Sequence, residues 1–203
     1  MFDHVLRALK DRWLAPVARW LGPAVSPNLV TMLAFLVGMA SAAAVLVGHD
    51  GVALALWVGN RVLDGLDGTV ARINDRQTDF GGYLDIVLDF VVYAAIPVAM
   101  LAAPDGERLL LPGAILLASF FVNAASWMYL AAILERRSAG ASARGELTTV
   151  TMPPGIVAGT ETFAFYAVFI VAPGWRATGF MVMSALVGVN VLQRLWWGHR
   201  ALR

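Results

Sequence analysis

The sequence predicts an all-α integral membrane protein, with six transmembrane helices preceded by an N-terminal amphipathic interfacial helix. The first observation behind this is composition. Of 203 residues, 59% are apolar and 14% charged, against about 45–50% and about 25% in a typical soluble domain. A disordered chain is excluded, and a soluble monomer has no interior for that much apolar surface. The second observation is six apolar blocks, each close to the roughly 20 residues that a helix needs to cross a bilayer. The third is the lack of period-2 alternation, which argues against barrel strands. The net charge of +1 gives no basic field for nucleic acid. The absence of cysteine excludes disulfides, thiolate zinc sites and cysteine nucleophiles.

The chain reads as one membrane domain over 1–203, with 1–25 as surface helix and linker and 26–203 as the six-helix unit. Phe2, Val5, Leu6, Leu9, Trp13, Val17 and Trp20 approximate a helical stripe, with Arg7, Lys10, Arg12 and Arg19 beside it. This pattern suits a helix lying on the membrane face with a kink at Pro16, or one packed on the other helices. The spans then run from Asn28 to Gly48, Gly51 to Arg72, Phe80 to Ala103, Leu109 to Leu134, Pro154 to Val171 and Ala177 to Trp197. The second is apolar only as far as Gly59. With a cytoplasmic N-terminus, thirteen basic residues, Arg61, Arg72 and Arg76 among them, fall on the cytoplasmic side, and only Arg108 and Arg176 fall on the other. The positive-inside rule therefore places both termini of this multi-pass protein in the cytoplasm, and the expected location is a bacterial inner or plasma membrane.

Asp64, Asp67, Asp85 and Asp89 lie in or at the edge of the second and third spans. A charge at bilayer depth costs at least about 2.5–3.5 kcal/mol, and carboxylates near one another repel. Such a cluster needs a neutralising partner or water. Asp64 and Asp67 are spaced i,i+3, and Asp85 and Asp89 i,i+4, so each pair shares a helix face. The antiparallel return brings both pairs to one cytoplasmic end. Carboxylates without His or Cys nearby suit a hard cation, Mg2+ or Mn2+, and two such ions would serve phosphoryl transfer. Gly65, Gly68, Gly81 and Gly82 leave room for a ligand or for tight helix packing.

Residues 64–89 read Asp-x2-Asp-Gly-x2-Ala-Arg-x8-Gly-x3-Asp-x3-Asp. This string resembles the signature of the CDP-alcohol phosphatidyltransferase family at all eight of its fixed positions. The stretch Ser26-Pro27-Asn28-Leu29-Val30-Thr31 is similar to the family's usual approach to its first span. The resemblance implies an enzyme, commonly a homodimer, that moves a phosphatidyl group from a CDP-linked lipid such as CDP-diacylglycerol to a small alcohol acceptor and releases CMP. It implies that Asp64, Asp67, Asp85 and Asp89 hold two divalent cations, with Asp89 also the base for the acceptor hydroxyl. Gly68, Ala71 and Gly81 would line the CDP site, and Arg72 would face its phosphates. Arg76 reads as a membrane anchor, and Asp75 and Asp79 as solvated loop charges.

The acceptor is less sharply marked. Family members that use a phosphorylated acceptor commonly carry a motif resembling Arg-Pro-Glu-Arg at the fifth span. This chain has Gly159-Thr160-Glu161-Thr162 there. Glu161 suits a cationic or zwitterionic acceptor such as choline, ethanolamine or serine, or equally an acid at a helix N-terminus. The expectation is a non-phosphorylated acceptor. The alternative is a phosphatidylglycerophosphate or phosphatidylinositol phosphate synthase, with Arg136, Arg137 and Arg144 meeting the acceptor phosphate. A reading of another class is a cation-coupled transporter, although no polar site faces the opposite end. Asn123 and Asn190 read as interhelical hydrogen-bonding groups, and Trp57 as packing.

Overall fold

Prolines and left-handed turn residues mark where the helices start and stop. Pro27 begins the first long helix, where its missing N–H costs nothing. Gly48, at φ +76°, turns the chain into the second, and Asp75, at φ +51°, turns it towards the third. The computed structural model describes residues 13–141, 143 and 155–203. After a helical stretch at 13–21 come α1 (Pro27–Leu46), α2 (Asp50–Ile73), α3 (Asp79–Ala102), α4 (Leu110–Arg136), α5 (Gly159–Val171) and α6 (Arg176–Ala201). No strand occurs among the described residues. α1 packs along α2 and α3, α4 along α6, and α5 against α2.

Among the described residues, four helical stretches are long and apolar enough to cross a membrane: Pro27–Leu46, Asp79–Ala102, Gly106–Arg136 and Pro173–Ala201. α2 has the length, at 24 residues, but carries Arg61, Asp64, Asp67 and Arg72 from its midpoint onward. The fifth span needs a correction. Its helix starts at Gly159 rather than Pro154 and has 13 residues, so it rises roughly 20 Å against a hydrocarbon core of about 30 Å. The cause is Asn190 on α6. Its Oδ1 accepts from the N–H groups of Ile156 and Val157, and its Nδ2 donates to the Val157 carbonyl at 2.8 Å. Those backbone groups are held outside a helix, so Asn190 bonds to the segment leading into α5 rather than between helices as expected.

Residues 1–12 of the expected surface helix lie outside the described residues. The part at 13–21 is helical through Pro16 and serves both readings of its stripe. Trp13 and Trp20 are exposed, whereas Ala18 is buried with Val30, Leu66 and Val70, flanked by Leu14 and Leu21. The larger core is aromatic. Trp57, Tyr166, Phe169 and Phe180 are fully buried, and Trp57 stacks on Tyr166 and Phe163 at 5.1 and 6.1 Å between ring centres. Gly38 lets α1 approach α2 and α3, because a Cβ there would lie 2.7 Å from Val92 and 2.9 Å from Asn60. The missing Cβ thus serves packing within the chain.

Arg176 closes the far end of the bundle. It is buried, donates to the carbonyls of Phe169 at 2.7 Å and Ile170 at 3.3 Å, and pairs with Asp50 at 3.2 Å. It therefore satisfies the last carbonyls of α5 and ties them to the start of α2. Arg176→Ala leaves these acceptors bare and is expected to destabilise the fold by about 2–3 kcal/mol. Thermal unfolding of the detergent-solubilised protein reads this as a lower midpoint, with transfer per folded molecule unchanged.

Candidate active site

The end of α2 and the start of α3 build the site. The i,i+3 spacing of Asp64 and Asp67 and the i,i+4 spacing of Asp85 and Asp89 put all four on inward-facing surfaces. One carboxylate oxygen each from Asp64, Asp85 and Asp89 lie within 4.8 Å of one another. At that separation and an effective dielectric of about 20, each pair of like charges repels by on the order of 3 kcal/mol. Asp67 differs from the other three. It is buried at 5% exposure, its Oδ2 accepts from the Thr31 hydroxyl at 2.7 Å, and its Oδ1 accepts from the Gly68 N–H. α1 thus holds Asp67 in a fixed orientation.

A cavity of about 150 Å³ lies against this cluster. Gly68, Ala71, Arg72 and Gly81 line it, as do Asp67 and Asp85. Asp85 is therefore common to the cavity wall and the carboxylate cluster. The N-terminus of α3 forms one side. Thr78 caps it, accepting from the Gly81 N–H at 3.0 Å, and Thr78, Gly81 and Gly82 all face the cavity. A helix start with its free N–H groups favours a phosphate. A Cβ on Gly81 would stand 3.1 Å from both Asn28 Oδ1 and Thr78 Oγ1, so the glycine keeps this wall thin. Arg72 reaches Thr69 Oγ1 at 3.3 Å. Arg76, read from sequence as an anchor, also lines the cavity and donates to the Pro23 carbonyl at 2.7 Å.

Arg61 is the residue that sequence reasoning missed. From the sequence it reads only as one of the cytoplasmic basic residues. Its Nη2 and Nη1 meet the two oxygens of Asp89 at 2.6 and 3.2 Å, and Nη1 lies 3.7 Å from Asp64. The i,i+3 spacing from Arg61 to Asp64 was the one available signal. The pairing with Asp89 depends on how α2 and α3 pack.

Of the expected acceptor residues, Glu161, Arg136 and Arg137 stand apart from the cavity lining. Glu161 Oε2 accepts from the Ala158 N–H at 3.1 Å, so its carboxylate caps α5. Arg137 donates to the Leu202 carbonyl at the end of α6 at 3.0 Å. Arg136 is exposed, and Arg144 lies outside the described residues. On α6, Arg194 is buried and donates to Asn123 Oδ1 at 2.9 Å and Ser126 Oγ at 2.6 Å. Its Nε has no hydrogen-bond partner among the described residues.

Residues 24–196 match the family model described as CDP-alcohol phosphatidyltransferase. The chain belongs to the CDP-alcohol phosphatidyltransferase family. It is a membrane-embedded phosphatidyltransferase. It is 32% identical to Inner membrane protein YnjF of Escherichia coli over 182 residues, covering 89% of this chain and 86% of that protein. It is 36% identical to the bifunctional IPC transferase and DIPP synthase of Aquifex aeolicus over 135 residues, 64% of this chain but 31% of that protein. Among solved structures, the phosphatidylinositol phosphate synthase of Mycobacterium tuberculosis with CDP-DAG bound shares the fold. The TM-score is 0.69 at 21% identity, covering 91% of this chain and 92% of that one. The same enzyme in complex with manganese and citrate matches with a TM-score of 0.68 at 22% identity, covering 91% and 88%.

The carboxylates fit a divalent cation. An ion bound at about 2.1 Å has ligand oxygens roughly 3–4 Å apart, so small side-chain rotations close the Asp64, Asp85 and Asp89 oxygens onto one. The donor set is all oxygen, as a hard cation requires.

Proposed function

We propose that the chain transfers the phosphatidyl group of CDP-diacylglycerol, or a related CDP-lipid, to the hydroxyl of a small alcohol. The observation that carries this is Asp85, shared between the cavity and the carboxylate cluster. The nucleotide diphosphate would lie along Gly68, Ala71, Arg72 and Gly81, with the α3 N-terminus and the Arg72 guanidinium facing its oxygens. Asp64, Asp67, Asp85 and Asp89 would hold two divalent cations, Mg2+ or Mn2+, which neutralise charge on the diphosphate when bound. Asp89 takes the acceptor's proton as its oxygen bonds to the lipid-side phosphorus. The bond from that phosphorus to the bridging oxygen breaks, and CMP leaves with that oxygen. The excess of basic residues at this end of the bundle supports a site open to the cytoplasm, with both termini there, in a bacterial inner membrane. The homodimer implied by the family resemblance belongs to the same reading.

For the acceptor, a phosphate-free alcohol follows from Gly159-Thr160-Glu161-Thr162, a stretch without a cation at the start of α5. Glu161 adds less to that reading than its sequence position suggested, because its carboxylate already serves Ala158. Glu161→Gln keeps the capping oxygen and is expected to leave the acceptor KM within about twofold. A marked rise in KM would return a cationic acceptor to this residue. A specific observation favours a second reading, a phosphorylated acceptor. Arg194 is a buried guanidinium whose polar partners among the described residues are uncharged, and such a group is costly unless an anion completes it. Asn190, one turn before it, holds the backbone that leads into α5. CMP release measured with glycerol 3-phosphate and inositol phosphate beside inositol, serine, ethanolamine and choline decides between the two.

A further inference from the structure

Arg61 lies between the aromatic core and the carboxylates, and its surroundings fix it there. Its guanidinium carbon stands 4.9 Å from the Trp57 ring centre and 5.1 Å from that of Tyr93. Nε donates to Asn60 Oδ1 at 2.7 Å, and Nη1 to the Tyr93 hydroxyl at 2.8 Å. Each of these supports is itself anchored. Asn60 is buried and donates to the Ala34 carbonyl of α1 at 2.7 Å. Trp57 Nε1 donates to the Phe163 carbonyl of α5 at 3.2 Å, and the Tyr166 hydroxyl donates to the Tyr93 carbonyl at 2.6 Å. The fork of Arg61 is thus set by α1, α2, α3 and α5, and it holds both oxygens of Asp89.

We propose that Arg61 is a positioning residue that fixes the Asp89 carboxylate for proton transfer and weakens cation binding by the cluster it partly neutralises. This rests on the reading of Asp89 as base and of the cluster as a cation site. Two effects of opposite sign follow. A planar two-pronged donor restricts the rotation of a carboxylate, which a point charge does not do. Losing that restraint slows a step that depends on the placement of the base, by roughly 10²-fold for a displacement of about 1 Å. The same guanidinium contributes a permanent positive charge beside the carboxylates, and a like charge opposes an incoming cation. Its removal therefore tightens cation binding while it slows turnover. Loss of a purely structural residue would weaken both.

The test uses the full chain in detergent or nanodiscs. Mn2+ binding is followed by loss of the free-ion electron paramagnetic resonance signal, and CMP release is followed with CDP-diacylglycerol. For Arg61→Gln, the Mn2+ Kd is expected to fall about tenfold and kcat to fall about 10²-fold, with the KM for the CDP-lipid changed by less than about threefold. Arg61→Lys keeps the charge without the fork. It should bind Mn2+ within about twofold of the unsubstituted chain and still lose at least about tenfold in kcat. Full turnover in either variant, or weaker Mn2+ binding by a folded Arg61→Gln protein, overturns the proposal. If Arg61→Gln does not fold, Arg61→Lys decides. An unsubstituted chain that binds Mn2+ yet releases no CMP with any acceptor contradicts the proposed function instead. The Mn2+ titrations then judge the charge effect of Arg61 by themselves.

Discussion

Asp89→Asn is expected to reduce CMP release by at least about 10³-fold while CDP-diacylglycerol still binds. The substitution keeps the shape of the side chain and removes its basicity. A positioned base alone contributes about 10²- to 10⁴-fold, and a cation ligand is weakened at the same time. The cavity that would hold the nucleotide is lined by Gly68, Ala71, Arg72 and Gly81 and does not include Asp89. Lipid binding and transfer should therefore separate. Equilibrium binding of a labelled CDP-lipid beside a CMP-release assay checks this, and a variant that turns over normally would remove Asp89 from the chemistry.

Asp85→Asn should behave differently, because Asp85 faces both the cavity and the other carboxylates. The expected result is a loss of at least about 10²-fold in kcat/KM at low Mn2+ with part of the activity restored at high Mn2+, since one charged ligand of a hard cation has been replaced by a neutral one. An unchanged Mn2+ dependence in Asp85→Asn would contradict the assignment of this residue to the cation site.

Much of the site was legible in the sequence because its spacing is helical. Acids at i,i+3 and i,i+4 on two helices joined by a short turn converge at one end whatever the finer packing. The glycines and Arg72 lie within two turns of those acids and share their surroundings. What was hidden depends on contacts between helices. Arg61 near a charged span end looks the same as a membrane anchor, and its bond to Asp89 exists because Asn60, Trp57 and Tyr93 aim it across the α2–α3 interface. Arg76 was hidden in the same way, since its partner is the Pro23 carbonyl, 53 residues earlier.

The helices show the same division. Pro27, Gly48 and the turn at Asp75 act locally, and the starts of α1 to α3 fall within two residues of their expected positions. The start of α5 does not, because a side chain from α6 decides it. The apolar block beginning at Pro154 carries no sign that Asn190 takes up the backbone of Ile156 and Val157. Glu161 then caps the shortened helix, a role its position allowed but could not distinguish from acceptor binding.

The most direct measurement is CMP release by the purified chain with CDP-diacylglycerol and Mg2+ or Mn2+, in parallel against the six acceptors named above. The account predicts release with at least one of them, abolished by chelation and restored by added metal, and lost in Asp89→Asn. A folded, Mn2+-loaded protein that binds the CDP-lipid and releases no CMP with any acceptor would contradict it.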